Sequence, residues 1–272
     1  MEFTLYQLAW YFVVYSFLGW CLEVVFCTVN TGKWVNRGFL NGPVCPIYGF
    51  GMVIVLSVLI PLADNPFLLF AGSFFLTSLL ELATGWVLKT MFHTTWWDYS
   101  RQPFNLGGYI CLKFSLAWGL GGMAAVRILH PPVEAFIDWI PKPIGVCLLV
   151  LILLLFVADL IVTLRTLIGL NRDLGELERI AAALHKGSDT ISRNLGDAAL
   201  AADEKLSEGK QAIPQKIAEL EARRDFLMAR ITDTKMFGPS RLIKAFPSMN
   251  NLRHAAAFRE LKERFLQHIN KK

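Results

Sequence analysis

Charge is scarce in this sequence. Asp, Glu, Lys and Arg make up 18% of its 272 residues, whereas hydrophobic residues make up 54%. Soluble domains of ordinary composition carry more charge, about 25%. A chain this apolar has more hydrophobic surface than one water-soluble core can hide. The composition therefore excludes a conventional soluble protein and predicts an integral membrane protein.

Other signals are absent as well. The five cysteines are odd in number and lie mostly in apolar runs, which predicts neither a disulfide framework nor a zinc site. The chain contains no GxxxxGK(S/T) sequence, no HExxH sequence and no recognisable Ser, His and Asp set. We therefore expect no metal, no cofactor and no enzymatic activity in this chain. The N-terminal stretch has no Lys or Arg, so the first hydrophobic run is expected to stay as a helix.

Hydrophobic runs that are long enough to cross a bilayer, which takes about 20 apolar residues, occur five times. They cover roughly residues 5–28, 47–63, 66–88, 107–129 and 144–164, and the second is the shortest. The predicted fold is an all-α polytopic membrane protein with about five transmembrane helices in residues 1–164. Residues 165–272 are predicted to follow as a helical tail.

The distribution of charge predicts an orientation. Residues 1–164 carry 7 basic and 8 acidic side chains, whereas residues 165–272 carry 20 and 14. The segment from residue 237 onward, with 8 basic and 2 acidic residues, accounts for the tail's net charge of +6. The first and third loops and the start of the tail are basic, so we expect the N-terminus outside and the tail in the cytoplasm. A basic tail after a membrane helix predicts a solvated helical face, or contact with anionic lipid or an acidic partner, rather than nucleic acid.

Four charged residues lie inside the predicted spans, where each ionised side chain costs about 2.5 to 3.5 kcal/mol. Each lies about five to seven residues from the inner end of its span, which predicts a similar depth for Glu23, Glu81, Lys113 and Asp159. Three carboxylates and one ammonium in one layer would bind a cation or hold a proton. We expect Lys113 to pair with Glu81, because they belong to successive spans. The alternative is that Lys113 neutralises one glutamate while the others snorkel to the interface.

The most unusual local sequence, residues 36–51, contains four glycines and two prolines at the mouth of an apolar span. It cannot form a regular helix, yet Phe39 and Leu40 are poor residues for a solvated loop. A buried irregular segment fits better, and such backbone is tolerated at membrane depth only where protein or water surrounds it. The alternative is a rigid hairpin that packs the first two helices. The predicted ligand-binding residues are Glu23, Arg37, Asn41, Glu81, Lys113 and Asp159.

Several runs together carry a family resemblance. They are YSFLGWCLEV at 15–24, NRGFLNGPVCPIYGFG at 36–51, TTWWDYS and PFNLGGYICLKFSLAWG between 94 and 119, and RLIKAFPSM at 241–249. At these residues the chain resembles the bacterial putative ABC-transporter type IV (CmpB-like) membrane family. The resemblance implies a permease-like subunit of the bacterial cell membrane. Because the chain has no ATPase motif, ATP hydrolysis would come from a separate subunit.

Two functions stay open on this evidence. The first is an integral membrane permease-like subunit that transports an unidentified small solute or ion through a polar cavity on the inner side. The alternative is a non-transporting membrane scaffold or sensor whose cytoplasmic helical tail binds protein partners. The expected partners are membrane lipids, a separate ATPase or other protein subunit, and a second copy of the chain, because five spans enclose little. A transporter needs a wet path from the charged layer to the outer side, whereas a scaffold can be dry.

Overall fold

The computed structural model describes residues 3–200, 207–233 and 238–270, and helices predominate in these ranges. The helices are α1 (Leu5–Thr31), α2 (Pro46–Leu59), α3 (Pro66–Phe92), α4 (Leu112–Ala124), α5 (His130–Trp139), α6 (Lys142–Leu200), α7 (Ser207–Thr232), α8 (Pro239–Ala245) and α9 (Ala255–Asn270). A 3₁₀ turn, Ile60–Leu62, extends α2, and a π-helical turn, Ala125–Leu129, joins α4 to α5. Two-residue strands are β1 (Thr94–Thr95), β2 (Asn105–Leu106), β3 (Ile110–Cys111) and β4 (Asn250–Asn251).

Four helical stretches are long and apolar enough to cross a membrane. They are Leu5–Thr31, Pro66–Phe92, Leu112–Trp139 and Lys142–Lys186. The second of the five predicted spans is a shorter apolar helix, Pro46–Leu62. The prediction of an all-α polytopic membrane protein is confirmed, with four full-length candidate spans and one shorter helix.

Local sequence explains where the first and third spans begin. At the start of α1, Thr4 Oγ1 accepts a hydrogen bond from the Gln7 N–H, and Gln7 Oε1 accepts one from the Thr4 N–H, which is a capping box. Asn65 caps α3 by accepting from two backbone N–H groups, and Pro66 occupies the first helical position. Gly32, with φ of 67°, ends α1 in the left-handed conformation that glycine adopts without strain.

The fourth span departs from its predicted bounds of 107–129. Gly107 and Gly108 have φ of 59° and 76°, and they turn the chain between β2 and β3, which pair antiparallel. Because these positive φ angles are incompatible with a right-handed helix, the helix begins only at Leu112. It then continues through the π-helical turn to Trp139.

Contacts divide the chain into two units. The first, which we call the membrane unit, consists of Met1–Arg165 and Arg241–Met249. The second, which we call the helical unit, consists of Thr166–Ser240 and Asn250–Lys272. The pattern of the sequence did not indicate that part of the C-terminal region belongs to the membrane unit.

Within the membrane unit, α1 packs against α2, and α3 packs against α4. Small residues bring α4 close to α3, since a Cβ atom added to Gly122 would lie 2.7 Å from Ser73 Oγ. The Ser78 hydroxyl donates to Ser115 Oγ at 2.7 Å across the same interface.

The helical unit has a small apolar core of its own. Its buried side chains include Leu167, Leu170, Leu174, Leu177, Ile180, Leu227, Ile231, Phe258, Leu261 and Phe265. Ion pairs surround this core, among them Arg223 with Glu176 at 2.7 Å and Arg230 with Asp173. Leu167, Leu170, Leu174, Leu177 and Ile180 of α6 therefore face protein in the structure.

Candidate functional site

The loop between α1 and α2 folds back onto α1. The Cys45 N–H donates to the Ser16 carbonyl at 2.9 Å, and Trp20 Nε1 donates to Asn36 Oδ1 at 2.6 Å. Gly38, Leu40 and Cys45 are buried although their backbone is irregular. The segment is thus a folded part of the membrane unit, and its irregular portion ends where α2 begins at Pro46.

This loop brings Arg37 to Glu23. Arg37 Nε lies 3.1 Å from Glu23 Oε2, and both side chains are partly buried, with 30% and 25% of their surface exposed. The Tyr48 hydroxyl donates to the other carboxylate oxygen, Glu23 Oε1, at 2.7 Å. Gly19 makes room for this tyrosine, since a Cβ there would lie 2.2 Å from Tyr48 Cγ. Both oxygens of Glu23 therefore have partners, and its charge is balanced.

A second polar group forms around Asp159 of α6. Its Oδ1 accepts from the Asn41 backbone N–H at 3.1 Å and from Asn41 Nδ2 at 2.7 Å, and its Oδ2 accepts from the Gly42 N–H at 2.7 Å. Asn41 Nδ2 also donates to Thr163 Oγ1 at 3.0 Å. On the other side, Arg241 Nε donates to Asn41 Oδ1 at 3.1 Å. Asn41 therefore connects a carboxylate to a guanidinium.

Glu81 is near the Glu23 group but is not bonded to it directly. Glu23 is close enough to act on the Glu81 carboxyl electrostatically, and the ring of Trp118, a neighbour of Glu81, meets the Tyr48 ring edge to face at 5.5 Å. Only 8% of the Glu81 surface is exposed. The Tyr99 hydroxyl donates to Glu81 Oε1 at 3.1 Å, and the Tyr99 ring stacks on Phe114 at 4.8 Å. Burial, followed by the charge of Glu81, raises the pKa of the Tyr99 hydroxyl, so Tyr99 stays a donor at neutral pH. Glu81 Oε2 is buried and accepts no close hydrogen bond from the described residues, although the Trp118 indole lies beside the carboxylate.

The expected pair of Lys113 and Glu81 does not form. Lys113 is exposed on α4, and its Nζ lies 5.8 Å from the centroid of the Phe114 ring. The α4 face that meets α3 carries Ser115, and a helix turns by about 200° over the two residues that separate Lys113 from it. Among the six predicted residues, direct contacts therefore join Glu23 to Arg37 and Asn41 to Asp159. Glu81 is bonded to Tyr99 and lies near Glu23, and Lys113 lies apart.

Several buried polar atoms of the membrane unit lack a protein partner. Among the described residues they are Tyr6 Oη, Trp10 Nε1, Tyr11 Oη, Ser16 Oγ, Ser73 Oγ, Glu81 Oε2, Trp96 Nε1 and His130 Nε2. Four of them lie on α1 between Tyr6 and Ser16, a length of about 15 Å at 1.5 Å per residue. Buried polar groups are normally satisfied by protein or by ordered water. These atoms lie at several separate places inside the unit: Tyr6 Oη is beside Gly145 of α6, the Tyr11 ring is beside His130 of α5, and Ser16 Oγ is beside Gly49 of α2.

The described residues contain no group of three or more His, Cys, Asp or Glu that could hold a metal ion. Sequence reasoning missed Tyr48, Tyr99 and Arg241, which contact the predicted site residues. Tyr48 lies in the unusual sequence of residues 36–51 and Tyr99 lies in the TTWWDYS run, and these positions are a usable signal. Arg241 follows Asn41 by 200 residues, and one sequence carries no signal for so distant a contact.

Comparison with known proteins gives one family. The sequence model of the family described as Putative ABC-transporter type IV matches residues 10–164, which is more than half of the chain. The matched region includes all six predicted site residues, whereas Arg241 lies outside it. No solved structure matches the chain.

Proposed function

The chain belongs to the Putative ABC-transporter type IV family, and on this premise we propose that it is a permease-like membrane subunit. In this proposal a small solute or ion passes through a polar, hydrated route inside the membrane unit. Family membership and the apolar helices support a protein related to membrane transport.

One observation carries the proposal. Buried polar atoms without protein partners recur along α1 from Tyr6 to Ser16, and on α3 at Ser73 and Glu81. A sealed scaffold would be expected to pair such groups or replace them by apolar ones, because an unsatisfied buried polar group costs about 1 to 3 kcal/mol. Water or a passing solute would satisfy them. The atoms thus favour a wet interior over a dry one.

The carboxylates have different roles in this proposal. The charge of Glu23 is neutralised by Arg37, and its other oxygen is bonded to Tyr48. Glu23 therefore lines the route but does not bind the solute. Glu81 has no basic partner among the described residues, and one of its oxygens is free to accept. A buried carboxylate that has no basic partner attracts a cation or a proton. Glu81 is therefore the point at which a positively charged solute would be held.

Cysteine accessibility tests the route. In a background without native cysteines, Ser16→Cys and Ser73→Cys replace the unpartnered hydroxyl oxygens with thiols and change the side-chain volume little. An impermeant, charged methanethiosulfonate reagent should modify both in membranes, because the reagent reacts only where water reaches.

Two variants serve as matched controls on α3. Phe75→Cys replaces a side chain that is 67% exposed on the helix, where lipid is expected. Ser78→Cys replaces a buried serine whose hydroxyl is already bonded to Ser115. Both should be modified more slowly than Ser73→Cys. If all four react equally slowly, the interior is dry and the transport proposal fails.

The proposed function requires two partners, an ATPase subunit and a second copy of the chain. ATP hydrolysis would come from a separate ATPase subunit, since the sequence contains no GxxxxGK(S/T) motif. In the proposal this chain catalyses no reaction itself, and a second copy completes the enclosure of the route.

The alternative is a membrane scaffold or sensor that binds proteins through its helical unit. Contacts such as Arg223 with Glu176 and His254 Nδ1 with Glu178 Oε2 hold the helices of that unit together, so the unit offers partner proteins a stable surface. A dry interior in the cysteine experiment, together with a partner protein that copurifies with the helical unit, would favour this second function.

A further inference from the structure

A short C-terminal segment, residues 241–249, forms part of the membrane unit. Its Arg241 donates three hydrogen bonds to one loop: Nε to Asn41 Oδ1 at 3.1 Å, Nη1 to the Gly38 carbonyl at 2.8 Å, and Nη2 to the Phe39 carbonyl at 2.9 Å. Three acceptors arranged around a planar fork match a guanidinium and not an ammonium. The loop therefore forms a guanidinium-binding site.

This site is held together without the help of Arg241. Asp159 binds the backbone of Asn41 and Gly42 from the opposite side. Asn36 Nδ2 donates to the Asn41 carbonyl at 2.7 Å, and Trp20 Nε1 holds Asn36 in turn. These supporting residues all lie within the part of the chain that the family model matches, 10–164, whereas the occupant lies outside it. The site and its occupant thus belong to segments that lie far apart in the sequence.

The rest of the segment has a second anchor on the loop that precedes α4. The Phe246 ring meets the Trp96 ring edge to face at 5.0 Å, and Ser248 Oγ donates to the Trp96 carbonyl at 3.0 Å. Trp96 also contacts Phe39, with ring centroids 5.2 Å apart. Leu242 and Met249 are almost fully buried. The segment therefore joins the loop that contains Asn41 to the loop that contains Trp96.

We propose that residues 241–249 act as a releasable latch on the membrane unit, with Arg241 as the ligand of the guanidinium site in the loop of residues 38–41. When Arg241 is bound, the loop is closed over Cys45. When Arg241 leaves, the loop loosens and this side of the unit opens to water. The same site then accepts another guanidinium, such as an arginine side chain supplied by a peptide.

Cys45 is a native reporter of the latch. It is 6% exposed, and its thiol lies 3.7 Å from the Arg37 carbonyl within the same loop. The experiment uses the full chain in lipid nanodiscs, with the other four cysteines replaced by alanine, and measures the rate of reaction of Cys45 with a water-soluble maleimide. Arg241→Ala should raise this rate about tenfold, equivalent to about 1.4 kcal/mol, the order of a lost hydrogen bond to a charged group.

Electrostatics cannot produce the same result. Burial raises the pKa of the Cys45 thiol to about 12, and the charge of Arg241 opposes that shift. Loss of the charge alone would therefore disfavour the thiolate and slow the reaction. Faster labelling reports opening of the loop.

Lys244→Ala is the matched control, because it removes the same charge from an exposed position one helical turn away. It should leave the rate unchanged. Arg241→Lys keeps the charge but cannot make the three planar bonds, so it should also speed labelling, and it decides the question if Arg241→Ala does not fold.

A synthetic peptide of residues 239–249 completes the test. Added to the Arg241→Ala protein, it should slow the labelling of Cys45, whereas the same peptide with alanine in place of the arginine should not. Equal rates in the Arg241 and Lys244 variants, or no effect of the arginine peptide, would overturn the latch. The assay measures no transport, so its outcome is independent of the proposed function.

Discussion

Three carboxylates of the membrane unit show how neighbouring side chains set the state of a buried acid. Glu23 has a guanidinium and a tyrosine hydroxyl, and Asp159 has three N–H donors. Glu81 has the Tyr99 hydroxyl and the nearby Trp118 indole, and no basic partner among the described residues. The charge of Glu23 is therefore compensated by a guanidinium, and the oxygens of Asp159 accept charge-assisted hydrogen bonds. Glu81 is the carboxylate that lacks a positively charged partner, and a bound cation or proton would supply one.

A double-mutant cycle distinguishes the ion pair that exists from the one that the sequence suggested. Arg37→Ala, Glu23→Gln and their combination should show a coupling free energy of about 0.5 to 3 kcal/mol in unfolding experiments in detergent, because the two side chains are in contact. The corresponding cycle on Lys113 and Glu81 should be additive within about 0.5 kcal/mol. Coupling of Lys113 to Glu81 as strong as that of Arg37 to Glu23 would contradict the arrangement of α4.

At the scale of elements, the contact between α3 and α4 determines which way α4 faces. Gly119 and Gly122 lie against Phe70 and Ser73, where a Cβ would come within 2.8 and 2.7 Å of the neighbouring side chains. Gly121, in contrast, has no atom within 4 Å of such a Cβ. This close contact fixes the rotation of α4 and turns Lys113 away from Glu81.

Two single substitutions on α4 test this contact. Gly122→Ala should lower the free energy of unfolding by about 1 to 3 kcal/mol, because its methyl group would overlap Ser73. Gly121→Ala should be neutral or stabilising by up to about 1 kcal/mol, since alanine is the better helix former and the space is open. Thermal unfolding in detergent measures both. Equal destabilisation by the two variants would show that helix packing is not the cause.

At the scale of the whole molecule, the orientation predicted from the loop charges has a direct test. With one cysteine at residue 64 or 101 in a cysteine-free chain, an impermeant maleimide added to intact cells should label position 64 and not position 101. Both native side chains are exposed. Position 101 is preferable to 98, because Asp98 Oδ1 accepts from the Ser100 N–H at 2.8 Å and a substitution there would disturb the turn. The opposite labelling would reverse the topology.

The sequence by itself determined the class of protein, its long apolar helices and the unusual loop of residues 36–51. These properties are local: apolar runs need lipid or a core, and glycine and proline interrupt helices wherever they occur. The sequence also identified charged candidate site residues that belong to the membrane unit, because a charged residue within an apolar run can be recognised from one sequence.

Only the tertiary structure decided which of these residues meet. Glycine-mediated packing sets the rotation of α4 and so leaves Glu81 without Lys113. The fold of the loop joins Asn41 to Asp159, which lies 118 residues further along the chain, and the C-terminal segment brings Arg241 to the same asparagine. Helical periodicity describes one helix at a time, whereas these contacts depend on how side chains of distant segments fit together.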